Sequence, residues 1–276
     1  MIALVITLSS VLAFLLLLFI LYILSLKCGK RREGGAYFAS QIYAHRGYHN
    51  KDNGIPENSM AAFFLAIERG YGIELDVQLS KDDEVVVFHD TTLNRVCGVD
   101  ARVRDFTLAE LKELSLSGVE GEKIPTLNEV LVLVDGKVPL LVEIKAETLA
   151  IQTTEAAQKI LDGYTGRYCI ESFNPFVVSW YRKNRPEIIR GMLSDMFMRD
   201  KTKNYTLKHR VLQTMLFNFL ASPDFVAYNF KNSDSIPFRL AKKIYKPYTF
   251  AWTPKREGEV AECKDFDSVI FENAEL

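Results

Sequence analysis

The 276 residues of this chain suffice for one large α/β domain or two small ones. Its 34 basic side chains are matched by 35 acidic ones, so no overall field draws it to nucleic acid, and no nucleic-acid partner is expected. The four cysteines, Cys28, Cys97, Cys169 and Cys263, are scattered and form no C-x-x-C pair, which argues against a cysteine zinc site or a disulfide framework and for free thiols.

From Ile2 to Leu26 there is no charged side chain. As a helix this run would extend roughly 37 Å, enough to cross a hydrocarbon core of about 30 Å with some tilt. Residues 1–26 are therefore read as a transmembrane helix. A signal peptide would need a basic start, a shorter apolar core and a small-residue cleavage site, and none is present. Lys27 precedes Cys28, which spoils a lipoprotein box. Basic residues follow the span as Lys27, Lys30, Arg31 and Arg32, which predicts a single-pass protein with a cytoplasmic catalytic domain. Residues 27–40 read as a basic juxtamembrane linker and 41–276 as one domain.

Within that domain apolar runs of strand length alternate with amphipathic helical patterns. Strands are predicted near 42–46, 72–79, 85–89, 139–145, 168–173, 188–193, 225–230, 248–253 and 267–271. Helices are predicted near 58–69, 107–115, 126–134, 150–162, 175–184, 206–220, 236–244 and 256–263. Repeated βα units of this length predict a closed (β/α)8 TIM barrel, an α/β fold, preceded by the N-terminal helix. Nine strand candidates compete for eight places, and 188–193 and 225–230 are the weakest. Asn58 or Ser59 can cap the helix starting at Met60, and Thr107 with Glu110 has the form of a capping box.

The chemistry concentrates between Ile42 and Asp90, where ionisable groups sit at the edges of apolar runs. Along 72–79 side chains alternate faces, so Glu74, Asp76 and Gln78 share one face and Ile73, Leu75, Val77 and Leu79 the other. Glu143 and Lys145 repeat that arrangement downstream. Three acids on neighbouring strands would repel without a cation between them, and an all-oxygen donor set favours Mg2+ or Ca2+. His45 and His89, each expected at a strand end, are candidates for general base and general acid. Arg46 can fork onto a phosphate or pair with Glu57, and Lys145 adds a second cation.

His45-Arg46-Gly47, Pro56-Glu57-Asn58-Ser59, Glu74-x-Asp76, His89-Asp90 and Glu143-Ile144-Lys145 follow in an order that resembles the glycerophosphodiester phosphodiesterases. Thr92-Leu93-x-Arg95 and Ile124-Pro125-Thr126-Leu127 resemble that family too, and the likeness is clearest from Ile42 to Phe173. It implies a (β/α)8 barrel that uses a divalent cation to hydrolyse glycerophosphodiesters to glycerol 3-phosphate and an alcohol. Carried over by position, it makes Glu74, Asp76 and Glu143 metal ligands and His45 and His89 the acid/base pair. Arg46 and Lys145 become phosphate contacts, and Glu57 a carboxylate at or behind the metal site. The implied mechanism has the glycerol 2-hydroxyl, activated by the cation, attack phosphorus to give a cyclic phosphate that water opens. Ser172-Phe173 and Trp252-Thr253 match family pairs, which places Phe173 and Trp252 near the substrate. Pro254-Lys255 replaces the expected Val-Asn, and 268–273 lacks the usual Thr-Asp, which bears on the alcohol side or on the barrel closure.

The amphipathic pattern in 206–221 fits an outer helix packed on the barrel; alternatively, Leu216 and Phe217 dip into a bilayer beside the anchor. Two rival functions accompany the main one: lysophospholipase D-like cleavage of membrane lysolipids, and an inactive phosphate-binding barrel. Loss of a metal carboxylate or histidine would favour the latter, and none is lost.

Overall fold

The computed structural model describes residues 2–146, 151–201 and 206–272; the predicted helix start at residue 150, and Asn273, lie outside these. Among the described residues nine strands form one sheet: β1 (Ile42–Ala44), β2 (Gly72–Leu79), β3 (Val85–Val87), β4 (Leu140–Ile144), β5 (Tyr168–Ser172), β6 (Arg190–Ser194), β7 (Phe225–Asn229), β8 (Tyr248–Trp252) and β9 (Ser268–Phe271). They run in the order β1-β9-β8-β7-β6-β5-β4-β2-β3, and β1 also pairs with β2. Eight parallel strands therefore close on themselves as a (β/α)8 barrel, while β3 lies outside, antiparallel to β2 through Val77–Val87 and Leu79–Val85. The surplus strand is thus 85–87, and both weakest candidates are barrel strands. β6 reads weakly because Gly191 interrupts it, and the glycine has a packing reason: a Cβ there would lie 2.0 Å from the Phe225 ring.

The helices are α1 (Ile2–Ser25), α2 (Glu33–Ala39), α3 (Met60–Glu68), α4 (Asn94–Cys97), α5 (Leu108–Glu113), α6 (Leu127–Val134), α7 (Gln152–Leu161), α8 (Pro175–Asn184), α9 (Leu207–Leu212), α10 (Asn218–Ala221), α11 (Ile236–Tyr245) and α12 (Glu257–Glu262). Ser59 caps α3 by accepting from the Ala62 N–H, and Thr107 with Glu110 makes the expected box on α5. Outward-facing Ile73, Leu75, Val77 and Val142 form one apolar cluster with Phe63, Val130 and Leu161 from the surrounding helices. Inside the barrel, Tyr43, Leu141, Cys169, Phe225 and Phe250 make a second cluster, with Phe225 and Phe250 stacked at 4.2 Å. This aromatic layer floors the space above it at the C-terminal ends of the strands.

Two segments depart from the sequence reading. Part of the stretch read as a linker is the helix α2, whose Phe38 and Ala39 join the interior cluster from below, with Tyr43 Oη donating to the Phe38 carbonyl at 3.1 Å. The single helix expected over 206–220 is broken into α9 and α10. Met215 adopts φ 57° between them and buries its side chain against Leu26 and Cys28, so a tertiary contact overrides the helical spacing. Leu216 and Phe217 are half-buried.

α1 is long and apolar enough to cross a membrane, with mean hydropathy 2.9 over 4–25, and by that test equally resembles a signal sequence. Its C-terminal end is part of the fold: Leu26 is fully buried, Tyr245 Oη donates to the Ile23 carbonyl at 2.8 Å, and Arg32 forks onto the buried Asp224. Arg31 bonds both Asp267 oxygens at 2.9 Å.

Candidate active site

Because β2 alternates, Glu74, Asp76 and Gln78 point into the barrel mouth, and the register places Asp76 beside Glu143 and Glu143 beside Glu171 on β4 and β5. Glu74, Asp76 and Glu143 are buried and offer oxygens within 4.8 Å of one another. Three oxygen donors on rigid adjacent strands fit a hard divalent cation. In this structure cationic side chains share the space: Lys145 Nζ lies 2.9 Å from Asp76 Oδ1 and 2.6 Å from Glu143 Oε1, and Arg46 Nε 3.5 Å from Asp76 Oδ2.

Past β1 the chain makes a tight turn in which Arg46 (φ 57°) and Gly47 (φ 79°) are both left-handed. A Cβ on Gly47 would meet the Ala62 backbone at 2.9 Å, which explains the glycine in the motif. The turn aims the Arg46 N–H at Glu74 Oε2, 2.8 Å away, and its guanidinium at Glu57 Oε1, 2.7 Å away. Asn58, also left-handed, uses Nδ2 to bond Asp76 Oδ2 at 2.8 Å, so the Pro-Glu-Asn motif buttresses the acids from behind.

His89 is not on a barrel strand. It follows the excursion of β3, which returns it over the mouth: the Phe88 N–H donates to the Asp76 carbonyl at 2.9 Å, and Gln78 Nε2 to the Phe88 and Asp90 carbonyls at 2.7 and 2.9 Å. His89 Nδ1 lies 2.6 Å from Asp90 Oδ1. Arg95 ties Asp90 to Glu57 with contacts of 2.6 and 2.7 Å, linking the loop to Arg46. Across the mouth His45 Nδ1 lies 3.2 Å from Glu272 Oε2, and Lys255 Nζ holds the other Glu272 oxygen at 2.9 Å. Each histidine is thus held at Nδ1 by its own carboxylate. Glu272 escaped sequence reading because only the β9–β1 pairing, Phe271 beside Ala44, brings it to His45.

The electrostatics follow from burial and neighbours. Burial, then Asp76 and Glu143, push the Glu74 carboxyl well above its ordinary value, and burial outweighs Lys145 in raising Glu143. Burial also opposes charge on Asp76, but Lys145, His89 and Arg46 outweigh it and hold the group well below the usual range. Glu171, also missed in the sequence, is pushed well above by burial and by Glu74 and Glu143, and its Oε2 is buried with no hydrogen-bond partner among the described residues. Burial and Arg46 lower His45 to about 4, so it is neutral at pH 7. Burial works against Glu57, but its bonds to Arg95 and the Arg46 charge lower it to about 2.

His45, Arg46, Glu74, His89, Glu143, Lys145, Phe173 and Trp252 line one cavity of about 1040 Å³. Phe173 packs edge-on to Trp252 at 5.9 Å and against Phe197 at 5.8 Å, an aromatic wall opposite the acids.

The glycerophosphoryl diester phosphodiesterase family model matches residues 45–273. The chain is 37% identical over 164 residues to a glycerophosphodiester phosphodiesterase of Caldanaerobacter subterraneus, a match covering 55% of this chain and 65%, just under two thirds, of that protein. It is 40% identical over 75 residues to the human lysophospholipase D GDPD1, covering 27% of this chain and 23% of that one. Among solved structures, an Oleispira antarctica phosphodiesterase in complex with the product sn-glycerol-3-phosphate superposes with TM-score 0.69 at 26% identity, covering 86% of this chain and 94% of that one.

Proposed function

The chain belongs to the glycerophosphoryl diester phosphodiesterase family, and from that premise we propose that it hydrolyses glycerophosphodiesters to glycerol 3-phosphate and an alcohol with a divalent cation, Mg2+ or Ca2+. One observation carries this reading: a trio of carboxylates within 4.8 Å of each other, flanked by two histidines each held at Nδ1 by a carboxylate.

In the proposed reaction Glu74, Asp76 and Glu143 hold the cation, whose charge would stabilise the phosphoryl oxygens when bound. Arg46 and Lys145 exchange carboxylate partners for phosphate oxygens, adding charge as negative charge develops. His45, neutral at pH 7, takes the proton of the glycerol 2-hydroxyl as its oxygen bonds to phosphorus. His89 gives a proton to the alcohol oxygen as its bond to phosphorus breaks. Water then opens the cyclic phosphate with the two histidines exchanging roles. Glu272 and Asp90 keep the rings turned toward the cavity. Glu57 acts from behind, fixing Arg46 and, through Arg95, the His89 loop. The Phe173 and Trp252 wall receives the organic part of the substrate.

A second reading, cleavage of membrane lysolipids, is favoured by the apolar wall and by the human lysophospholipase D among the relatives. It goes with α1 as a membrane anchor and the barrel on the cytoplasmic side, which the basic residues after the span support. The test is a panel of glycerophosphocholine, glycerophosphoethanolamine and lysophosphatidylcholine with each cation, scored by glycerol 3-phosphate release and by free choline. Release of glycerol 3-phosphate supports the first reading. Turnover of the lysolipid alone installs the second, and failure on all three with no cation bound removes both.

A further inference from the structure

A second group of ligand atoms lies at the rim of the mouth, apart from the carboxylate trio. His45, His49 and Glu272 offer atoms within 4.8 Å of one another. The first two stand at H-x3-H spacing on the loop leaving β1, a common interval between zinc ligands, and Glu272 follows the partner strand β9. His45 Nδ1 and Glu272 Oε2 are 3.2 Å apart, about the separation of two ligands on tetrahedral zinc with bonds of about 2.0 to 2.2 Å. Glu272 can give this oxygen to a metal while its other oxygen stays on Lys255. His49 Nε2 is buried with no hydrogen-bond partner among the described residues, so a polar atom is held out of water there.

We propose that His45, His49 and Glu272 form a zinc site, distinct from the carboxylate trio, whose occupation inhibits the enzyme. Two imidazoles and one carboxylate suit zinc, whereas the all-oxygen trio suits a hard ion. Arg46 and Lys255 oppose a cation here, which makes the affinity weaker than that of a structural zinc site. Inhibition follows because His45 cannot hold zinc and accept the substrate's proton together. That part rests on the function proposed above; zinc binding itself does not.

The experiment titrates Zn2+ calorimetrically into the full chain in detergent with Mg2+ in excess, using wild type, His49→Gln, His49→Ala and Glu74→Gln. Wild type should bind one zinc and lose turnover over the same concentrations. Both His49 variants should bind zinc at least tenfold more weakly, resist inhibition by the same factor and keep basal turnover. Glu74→Gln should keep zinc binding, and Co2+ in place of zinc should give the intense visible absorption of a tetrahedral centre in wild type and Glu74→Gln but not in the His49 variants. Unaltered zinc affinity in folded His49 variants, or loss of the site in Glu74→Gln, overturns the proposal. If zinc binds as expected but no glycerophosphodiester is cleaved, the proposed function fails and the site stands.

Discussion

Glu143 and Glu171 stand side by side in register on β4 and β5, but of these two Lys145 bonds Glu143 alone, and Glu171 Oε2 has no partner among the described residues. Replacing Glu171 by Gln removes a carboxyl that burial and two neighbouring acids disfavour. The variant should therefore unfold at higher temperature than wild type in excess chelator, by about 1 to 2 kcal/mol. Thermal denaturation with EDTA checks it, and a lower midpoint would show that Glu171 is compensated.

Lys145 and a cation compete for Asp76 and Glu143. Lys145→Met should bind Mg2+ or Ca2+ more tightly without substrate while turnover falls about 100-fold through the lost phosphate contact. Glu74→Gln should weaken the cation first. Calorimetry and kcat on the same preparations separate these effects.

His45, lowered to about 4 by burial and Arg46, is a competent base at any pH above that value and loses competence only as pH falls through it. The acid limb of kcat/KM assigned to this residue should lie near pH 4, and Glu272→Gln should cut kcat through lost ring orientation. A limb near pH 6.5 that His45 substitution removes would contradict the assignment.

Glu57 is lowered to about 2, so its ion pairs stabilise the fold fully above the unfolded-state value near pH 4.5 and cease to as pH falls to about 2. Glu57→Gln should cost about 2 kcal/mol at pH 7, and the gap to wild type should close across that window in denaturant titrations.

The buried end of α1 makes truncation position-dependent. Removing residues 2–21 should leave the barrel intact and water-soluble, whereas removing 2–28 should destabilise it by about 3 kcal/mol by exposing the surface under Leu26 and Cys28. Urea denaturation of both forms tests this.

Much of the site is legible because strands advertise their faces. Glu74, Asp76, Glu143 and Lys145 stand at alternate positions of apolar runs, and the predicted bounds of β2, 72–79, match those of the structure. What escapes is set by pairing rather than pattern. Nothing in Val85–Val87 says that it turns back on β2 instead of joining the barrel, and this excursion is what delivers His89. Glu171 and Glu272 matter only through the residues beside them on adjacent strands. The break at Met215 goes with the packing of its side chain against Leu26 and Cys28, far earlier in the chain, which no local pattern could show.

Arg31 and Arg32 are bound to acids that precede β9 and β7, at the opposite end of the barrel from the histidines. With α1 as anchor, the barrel is not a weight on a string. A flexible leash of a dozen residues would let a mouth sample a wide shell of distances from the bilayer, but this clasp leaves no slack. On that reading the mouth would stand at one fixed height above the bilayer, and which molecules pass at that height would decide first what reaches it.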